Sequence, residues 1–443
     1  MKEIKIEGLR SLKDSGFIPI KPLTILLGEN SSGKSTFLRT FPLLRQSIES
    51  STRGPILWYG SFVDFGTFDD AISKFSEDKV VSFSFVLDTK KVTRRVPPRY
   101  YRGLDDGDIT VKISVTSDAK DKSTRANEIE IDYKDNKLKI LFNKSGKILK
   151  AKVNKMDLTE YFGQALPLST GNRHNLFPRI RFSESEHYSI PSAELINSSI
   201  ENALIETVNP YLHNNTNRNK FIQTLLTLTI SNEIDFFENL KNISDSTVWK
   251  KRISELNYDH DEVKKIAALL FALRAPLILI CLDAYVGNIF SEVKYIAPLR
   301  ATAERYYRSQ DLSVKEVDFQ GKNLAMFIKN LTDSEKQKYK EWLNENFNFN
   351  LLVSSDGGHL SLRLQYMNSE SSYNITDMGF GFCQILPIIT QVWYSSIERS
   401  FSEKRYIRNN SSEYIIIEQP ELHLHPRFQA KLVNAFVNLI TTI

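Results

Sequence analysis

Eight residues near the start of the chain, Gly28-Glu29-Asn30-Ser31-Ser32-Gly33-Lys34-Ser35, fit the pattern G-x-x-x-x-G-K-S/T at every position. Each part has a physical task. The glycines let the backbone curl so that successive amides point inward around phosphate oxygens. A helix starting near Lys34 aims the positive end of its dipole at the same oxygens. The Lys34 ammonium neutralises β- and γ-oxygens, and the Ser35 hydroxyl is a hard ligand for Mg2+. The candidate phosphate-binding set is therefore Asn30, Ser31, Ser32, Gly33, Lys34, Ser35 and Thr36. An accidental Gly/Ser turn could fit the same letters. The apolar run PLTILL (22–27) before the motif reads as a strand, and Phe37, Leu38, Phe41, Leu44 and Ile48 after it have helical spacing. That context favours a loop for ATP or GTP.

A second group lies far downstream, in Tyr414-Ile415-Ile416-Ile417-Glu418-Gln419-Pro420-Glu421-Leu422-His423-Leu424-His425-Pro426. An apolar strand here delivers a carboxylate, Glu418, to its C-terminal end, where α/β sheets place ligands. Alone, an apolar strand ending in Glu is commonplace; its weight comes from the phosphate loop upstream. His423 and His425 fall on one side of an extended segment, but two ligands do not make a zinc site. No Cys or further His is near them in sequence.

These segments resemble a known family. IIIEQPELHLHP resembles the Walker B region of the ABC/SMC-like ATPases, in the overcoming-lysogenization-defect branch and its prokaryotic AAA relatives. Gly8-Leu9-Arg10-Ser11-Leu12 resembles the N-F-R-S segment that opens SMC-like heads. Thr376-Asp377-Met378-Gly379-Phe380-Gly381-Phe382-Cys383-Gln384 resembles the signature motif of that branch, which replaces L-S-G-G-Q. Tyr295-Ile296-Ala297-Pro298-Leu299-Arg300, followed by Glu304-Arg305-Tyr306-Tyr307, is similar as well. The likeness is strongest over 1–70 and 290–443 and generic between them.

The resemblance implies an α/β fold, an ABC/SMC-like P-loop ATPase head with an antiparallel β lobe and a helical insertion. Its divisions would be 1–154 (the N-terminal part of the head with the β lobe), 155–290 (the insertion) and 291–443 (signature and Walker B). It implies ATP and Mg2+ as cofactors, and a homodimer or higher assembly through the heads. Gly379, Phe380, Gly381 and Gln384 of one subunit would close over the nucleotide of another, with the helix that follows supplying amides and dipole. Arg10 would contact phosphate; a plain surface arginine is its alternative. Glu418 would act on Mg2+ through water, and His423–Pro426 would form the loop that meets the partner head. Gln419 takes the position where ABC-type ATPases carry the catalytic carboxylate. Glutamine can orient a water but cannot accept its proton. Either hydrolysis is slow and ATP acts as a clamp, or Glu421 serves as the base.

Septu-type and retron-associated ATPases, which work with an HNH nuclease partner, look closest. The expected function is a slowly hydrolysing regulatory subunit of an anti-phage complex. A DNA-repair ATPase of RecF/SMC type and a non-hydrolysing scaffold are the alternatives. Family heads continue with a further strand and a switch histidine, so the native protein is expected to extend beyond residue 443.

The elements that must position these residues show in the periodicity. KEIKIE (2–7) alternates as a strand, and β-formers dominate 55–154 in VVSFSFVL, DITVKISV, NEIEIDY and KLKILF, separated by turns such as Lys134-Asp135-Asn136 and Lys144-Ser145-Gly146. That reads as an antiparallel meander joined to the first strand. Helical steps follow in 193–208, 220–229, 233–240 and 261–286. Strands VKYIAPL, NLLVSS and HLSLRLQYM, a helix near 334–345, a helix from Gly381 and the strand 414–417 complete the pattern.

Composition narrows the class. Hydrophobic residues at 41% and charged residues at 25% exclude collagen-like, disordered and disulfide-framework chains. Two cysteines, Cys281 and Cys383, fit a reducing compartment, and a cytoplasmic protein is expected. The most apolar stretch, 266–282, holds Arg274 and Pro276 in its middle and reads as a buried helix pair, not a membrane span. A net charge of +5 neither requires nor excludes nucleic acid. Lys90, Lys91, Arg94, Arg95, Arg99 and Arg102 cluster with Tyr100 and Tyr101, a mixture suited to DNA or RNA contact and also to a solvated hairpin loop. No nuclease motif and no Ser-His-Asp or Cys-His nucleophile set can be assembled.

Overall fold

A computed structural model describes residues 1–93, 104–118, 123–162, 176–178, 180, 198–367, 369–404 and 414–441. They divide into two compact units, 1–37 with 43–291, and 38–42 with 292–443. The expected meander and helical stretch therefore cluster in one unit.

In the first unit β1 (Glu3–Leu9), β2 (Leu12–Asp14) and β3 (Ile18–Pro19) precede α1 (Lys34–Glu49) and α2 (Phe68–Ala71). Next come β4 (Val81–Asp88), α3 (Thr89–Thr93), β5 (Asp108–Ser117), β6 (Thr124–Tyr133), β7 (Asn136–Phe142), β8 (Ile148–Val153) and β9 (Met156–Asp157). The sheet runs β2-β1-β4-β5-β6-β7-β8-β9, with β3 also on β1, and every pairing is antiparallel. The alternation read from sequence is physical here. Ile109, Val111 and Ile113 of β5 and Ile129, Ile131 and Tyr133 of β6 are all buried. On the other face Lys112 pairs with Glu7 and Lys5 with Asp14 across strands, and Lys5 also pairs with Glu7 along β1.

The strand expected over 22–27 does not form. Both sides of β1 are already taken, by β2 and β3 on one side and β4 on the other. An apolar run without a partner edge has no ladder to join. Leu23, Ile25 and Leu27 are accordingly 41%, 65% and 88% exposed.

The helical part comprises α4 (Ser198–Val208), α5 (Arg218–Leu225), α6 (Glu233–Lys241), α7 (Thr247–Ser254) and α8 (Asp261–Ser291). Asn217, Asn232 and Ser246 cap α5, α6 and α7 through their side-chain oxygens. α8 corrects the expectation of a helix pair: it is one continuous helix with Pro276 inside it. Arg274 is tolerated there because its guanidinium donates to the carbonyls of Leu226 and Leu228. The helix is long and apolar enough to cross a membrane, yet most of its apolar window is buried against the protein, including Phe290 on Phe85 at 5.6 Å.

The second unit carries β10 (Val293–Ile296), β11 (Tyr307–Arg308), α9 (Leu324–Asn330), α10 (Asp333–Phe347), β12 (Phe349–Asp356), β13 (His359–Tyr366), β14 (Ser372–Asn374), α11 (Phe380–Lys404), β15 (Tyr414–Ile417) and α12 (Pro426–Thr441). β10 and β15 form a parallel pair, while β12, β13, β11 and β14 form an antiparallel sheet. A capping box between Thr332 and Glu335 opens α10. Its buried Tyr339 packs on Trp393 of α11 at 4.5 Å and bonds Thr390 at 2.6 Å. The fold is mixed α/β with antiparallel sheets and one short parallel pair.

Candidate functional site

The Gly28–Ser35 segment curls as its sequence requires. Gly28, Ser31 and Gly33 all take positive φ, at 152°, 64° and 94°. Gly33 is the N-cap of α1 and brings no side-chain acceptor to it. A Cβ there would fall 2.4 Å from Leu12 Cδ2, so the position excludes other residues on space as well as on φ. Glu29, Asn30, Ser31, Ser32 and Ser35 are exposed, and Lys34 and Thr36 are half-buried. The Lys34 ammonium donates to the carbonyls of Gly28 at 2.7 Å and Glu29 at 2.5 Å, and to Ser32 Oγ at 3.3 Å. A glycine-rich turn, the N-terminus of α1 and one ammonium form a donor set that fits a phosphate chain. The Ser35 hydroxyl, exposed in the first turn, fits a hard cation.

Arg10 has the left-handed φ of 48°. Its guanidinium lies over the Phe65 ring, 4.4 Å from the centroid, and donates to the Asp64 carbonyl at 3.0 Å. The basic stretch is only partly placed. Lys90 pairs with Asp106 at 2.8 Å, whereas Arg94, Arg95, Arg99, Tyr100, Tyr101 and Arg102 lie outside the described residues, as do His174 and His187.

In the second unit Glu418 follows β15, and its amide donates to the Ile296 carbonyl of β10 at 3.1 Å. Its side chain is 2% exposed and accepts three hydrogen bonds. Arg39 Nε and Nη2 donate at 2.8 and 3.3 Å, and the Tyr295 hydroxyl donates at 2.7 Å. Burial opposes the charge on Arg39, but the bond and charge of Glu418 outweigh it and hold the guanidinium above its usual range. Burial, then the Glu418 carboxylate, push the Tyr295 phenol well up, so it stays a neutral donor. These partners hold the candidate metal carboxylate rigidly.

Beyond it, Gln419 is exposed and left-handed at φ 45°, and His423 is left-handed at 60°. Of the eight non-glycine residues with positive φ among the described residues, four (Arg10, Ser31, Gln419 and His423) belong to the phosphate loop or to the segments that resemble the ATPase family. Such conformations cost about 1–2 kcal/mol each, a concentration typical of functional loops. Glu421 is exposed, and the Leu422 and Leu424 amides close short turns onto the carbonyls of Gln419 and Glu421. Arg300, 5% exposed, donates through Nη2 to the Glu418 carbonyl at 2.8 Å and the Gln419 carbonyl at 3.5 Å. Burial pulls its guanidinium down to about 10, against the pull of Glu421, so it remains charged at neutral pH.

The signature-like segment splits into an outer and an inner part. Gly379 and Phe380 are exposed at the start of α11, and a Cβ on Gly379 would touch nothing. Gly381 packs on the loop after Glu418, its Cβ position 2.9 Å from the His423 carbonyl, while the Phe380 and His423 rings meet at 5.1 Å. Gln384 is 1% exposed and donates to the Arg300 carbonyl at 3.4 Å, so it faces the core of its own chain. Sequence reasoning missed Arg39 and gave no roles to Tyr295 and Arg300. Arg39 meets Glu418 across 379 positions, a pairing with no local signal in the sequence.

A phosphate-binding loop opening a helix, with a strand-end carboxylate elsewhere in the chain, defines a P-loop nucleotide-binding protein. The chain belongs to the AAA ATPase domain family, whose model matches residues 1–442. No curated protein matches it.

Proposed function

We propose that the protein is a cytoplasmic, ATP-dependent regulatory subunit that hydrolyses ATP slowly and controls a nuclease partner. Membership of the AAA ATPase domain family supports ATP binding. Lys34 and the amides of residues 30–36 would hold the triphosphate and Ser35 a Mg2+ ion, which when bound supplies charge neutralisation at the phosphates; a role for Glu418 toward that ion rests on the family resemblance alone. The exposed faces of Gly379 and Phe380 then engage the nucleotide of a second copy, giving a dimer or a higher assembly. The HNH-type partner and the anti-phage role rest on the family resemblance. DNA or RNA contact rests on the basic stretch 90–102.

The observation that carries slow hydrolysis is Gln419: exposed, backbone-strained and directly after the buried Glu418, where a base would be a carboxylate. It orients water by hydrogen bonds and leaves the proton without an acceptor. Gln419→Glu is nearly isosteric and should raise turnover by roughly 10²–10⁴-fold, the usual span of general-base assistance. Unchanged turnover in that variant, or brisk wild-type turnover abolished by Glu421→Gln, would move the base to Glu421.

A further inference from the structure

We propose that Arg300 is a positioning residue for ATP hydrolysis, fixing the backbone of Glu418 and Gln419 and tying that loop to helix α11 through Gln384. The inference rests on the ATPase reading above. Three buried residues from separate segments are linked side chain to backbone here: Gln384 at 1% exposed, Arg300 at 5% and Glu418 at 2%. Gln384 Nε2 donates to the Arg300 carbonyl, and the Arg300 guanidinium donates to two consecutive carbonyls of the loop that carries Gln419.

The relay is incompletely satisfied. Among the described residues, Arg300 Nε and Nη1 and Gln384 Oε1 are buried without a hydrogen-bond partner. Apolar side chains of similar volume would leave no such groups unpaired. A second contact runs parallel to it, where Gly381 packs on the His423 carbonyl. Displacement at the outer end of α11 therefore reaches the backbone of Gln419 through a guanidinium and through a close backbone contact. The left-handed φ of Gln419 is the strained element that Arg300 holds.

The test uses the full chain in five forms: wild type, Arg300→Lys, Arg300→Met, Gln384→Leu and the Arg300→Met/Gln384→Leu double variant. ATP turnover, affinity for a non-hydrolysable ATP analogue, and amide exchange across 418–424 are measured in each. Arg300→Met should lower kcat by roughly 10²-fold, the effect of misplacing a group near the reacting water, with analogue affinity unchanged. Exchange at Leu422 and Leu424 should rise, and Arg300→Lys should lie between Arg300→Met and wild type. Gln384→Leu should act in the same direction, and the double variant should be no worse than Arg300→Met, because both changes cut one relay. Unchanged turnover and exchange, affinity falling in step with kcat, or independent additive effects would overturn the proposal. A wild type that binds no ATP would refute the nucleotide reading instead, and the exchange comparison would still decide whether Arg300 holds the loop.

Discussion

Removing the Arg39 side chain should destabilise the second unit more than its half-exposed position indicates. Glu418 is 2% exposed and draws two of its three hydrogen bonds from Arg39. Arg39→Met leaves a buried carboxylate with the Tyr295 hydroxyl as its remaining donor among the described residues. Breaking a buried pair from one side typically costs about 3–5 kcal/mol. Because the Arg39 side chain is itself 34% exposed and water reaches it, the low end applies, about 3 kcal/mol. That is roughly a hundredfold in the opening equilibrium. Replacing both partners should be far milder, since Glu418→Gln removes the unpaired charge and keeps an acceptor for Tyr295. Native-state hydrogen exchange on β10 and β15 reads the effect directly, because their parallel ladder ends at the Glu418 amide. Arg39→Met should speed exchange there, and Arg39→Met/Glu418→Gln should recover more than half of the loss. Wild-type protection in the single variant, or a double variant no better than the single, would refute the reasoning.

Two further outcomes are expected. Gly379→Ala should be tolerated, because nothing lies within 4 Å of its Cβ position, whereas Gly381→Ala should lower the melting temperature, because its Cβ meets the His423 carbonyl at 2.9 Å. For that reason Gly379→Arg is the cleaner block to ATP-dependent association; size-exclusion with and without ATP checks it, and an unchanged ATP-induced dimer would contradict the signature reading. Charge reversal at Arg94, Arg95 and Arg99 should weaken binding to DNA or RNA and flatten its salt dependence, and identical binding across a salt series would leave the stretch as ordinary surface.

Local signals carried much of this molecule. The alternation in β4 to β7 and the turn residues between them predict an antiparallel meander, because each strand pairs with its sequence neighbour and buries one face. The phosphate loop is legible for the same reason: its glycines answer a local backbone need, and φ of 94° at Gly33 meets it. Partner-dependent features were not legible. The run 22–27 has strand composition, but composition does not name a partner, and the run pairs with none of the described strands. Pro276 suggested a break in α8, yet packing of the helix on both sides of that residue carries it through. Glu418 could be named from its place after β15, whereas its neutralisation by Arg39 joins residues 379 positions apart and leaves no local mark. Gln384 belongs to a motif that the resemblance places over a partner's nucleotide, yet its side chain is 1% exposed and donates to the Arg300 carbonyl of its own chain, a long-range contact with no local mark.

The central claim is that Lys34 and the loop around it bind a nucleoside triphosphate. Titration calorimetry of ATP with Mg2+ into the wild type and Lys34→Ala tests it most directly. Lys34 is the one ammonium in the loop, and charge-assisted bonds to phosphate are worth about 1.5–3 kcal/mol each. The expected result is saturable wild-type binding that weakens by at least about tenfold in Lys34→Ala, a loss of about 1.4 kcal/mol or more. Equal affinity in the two proteins, or no saturable binding by the wild type, would contradict the account.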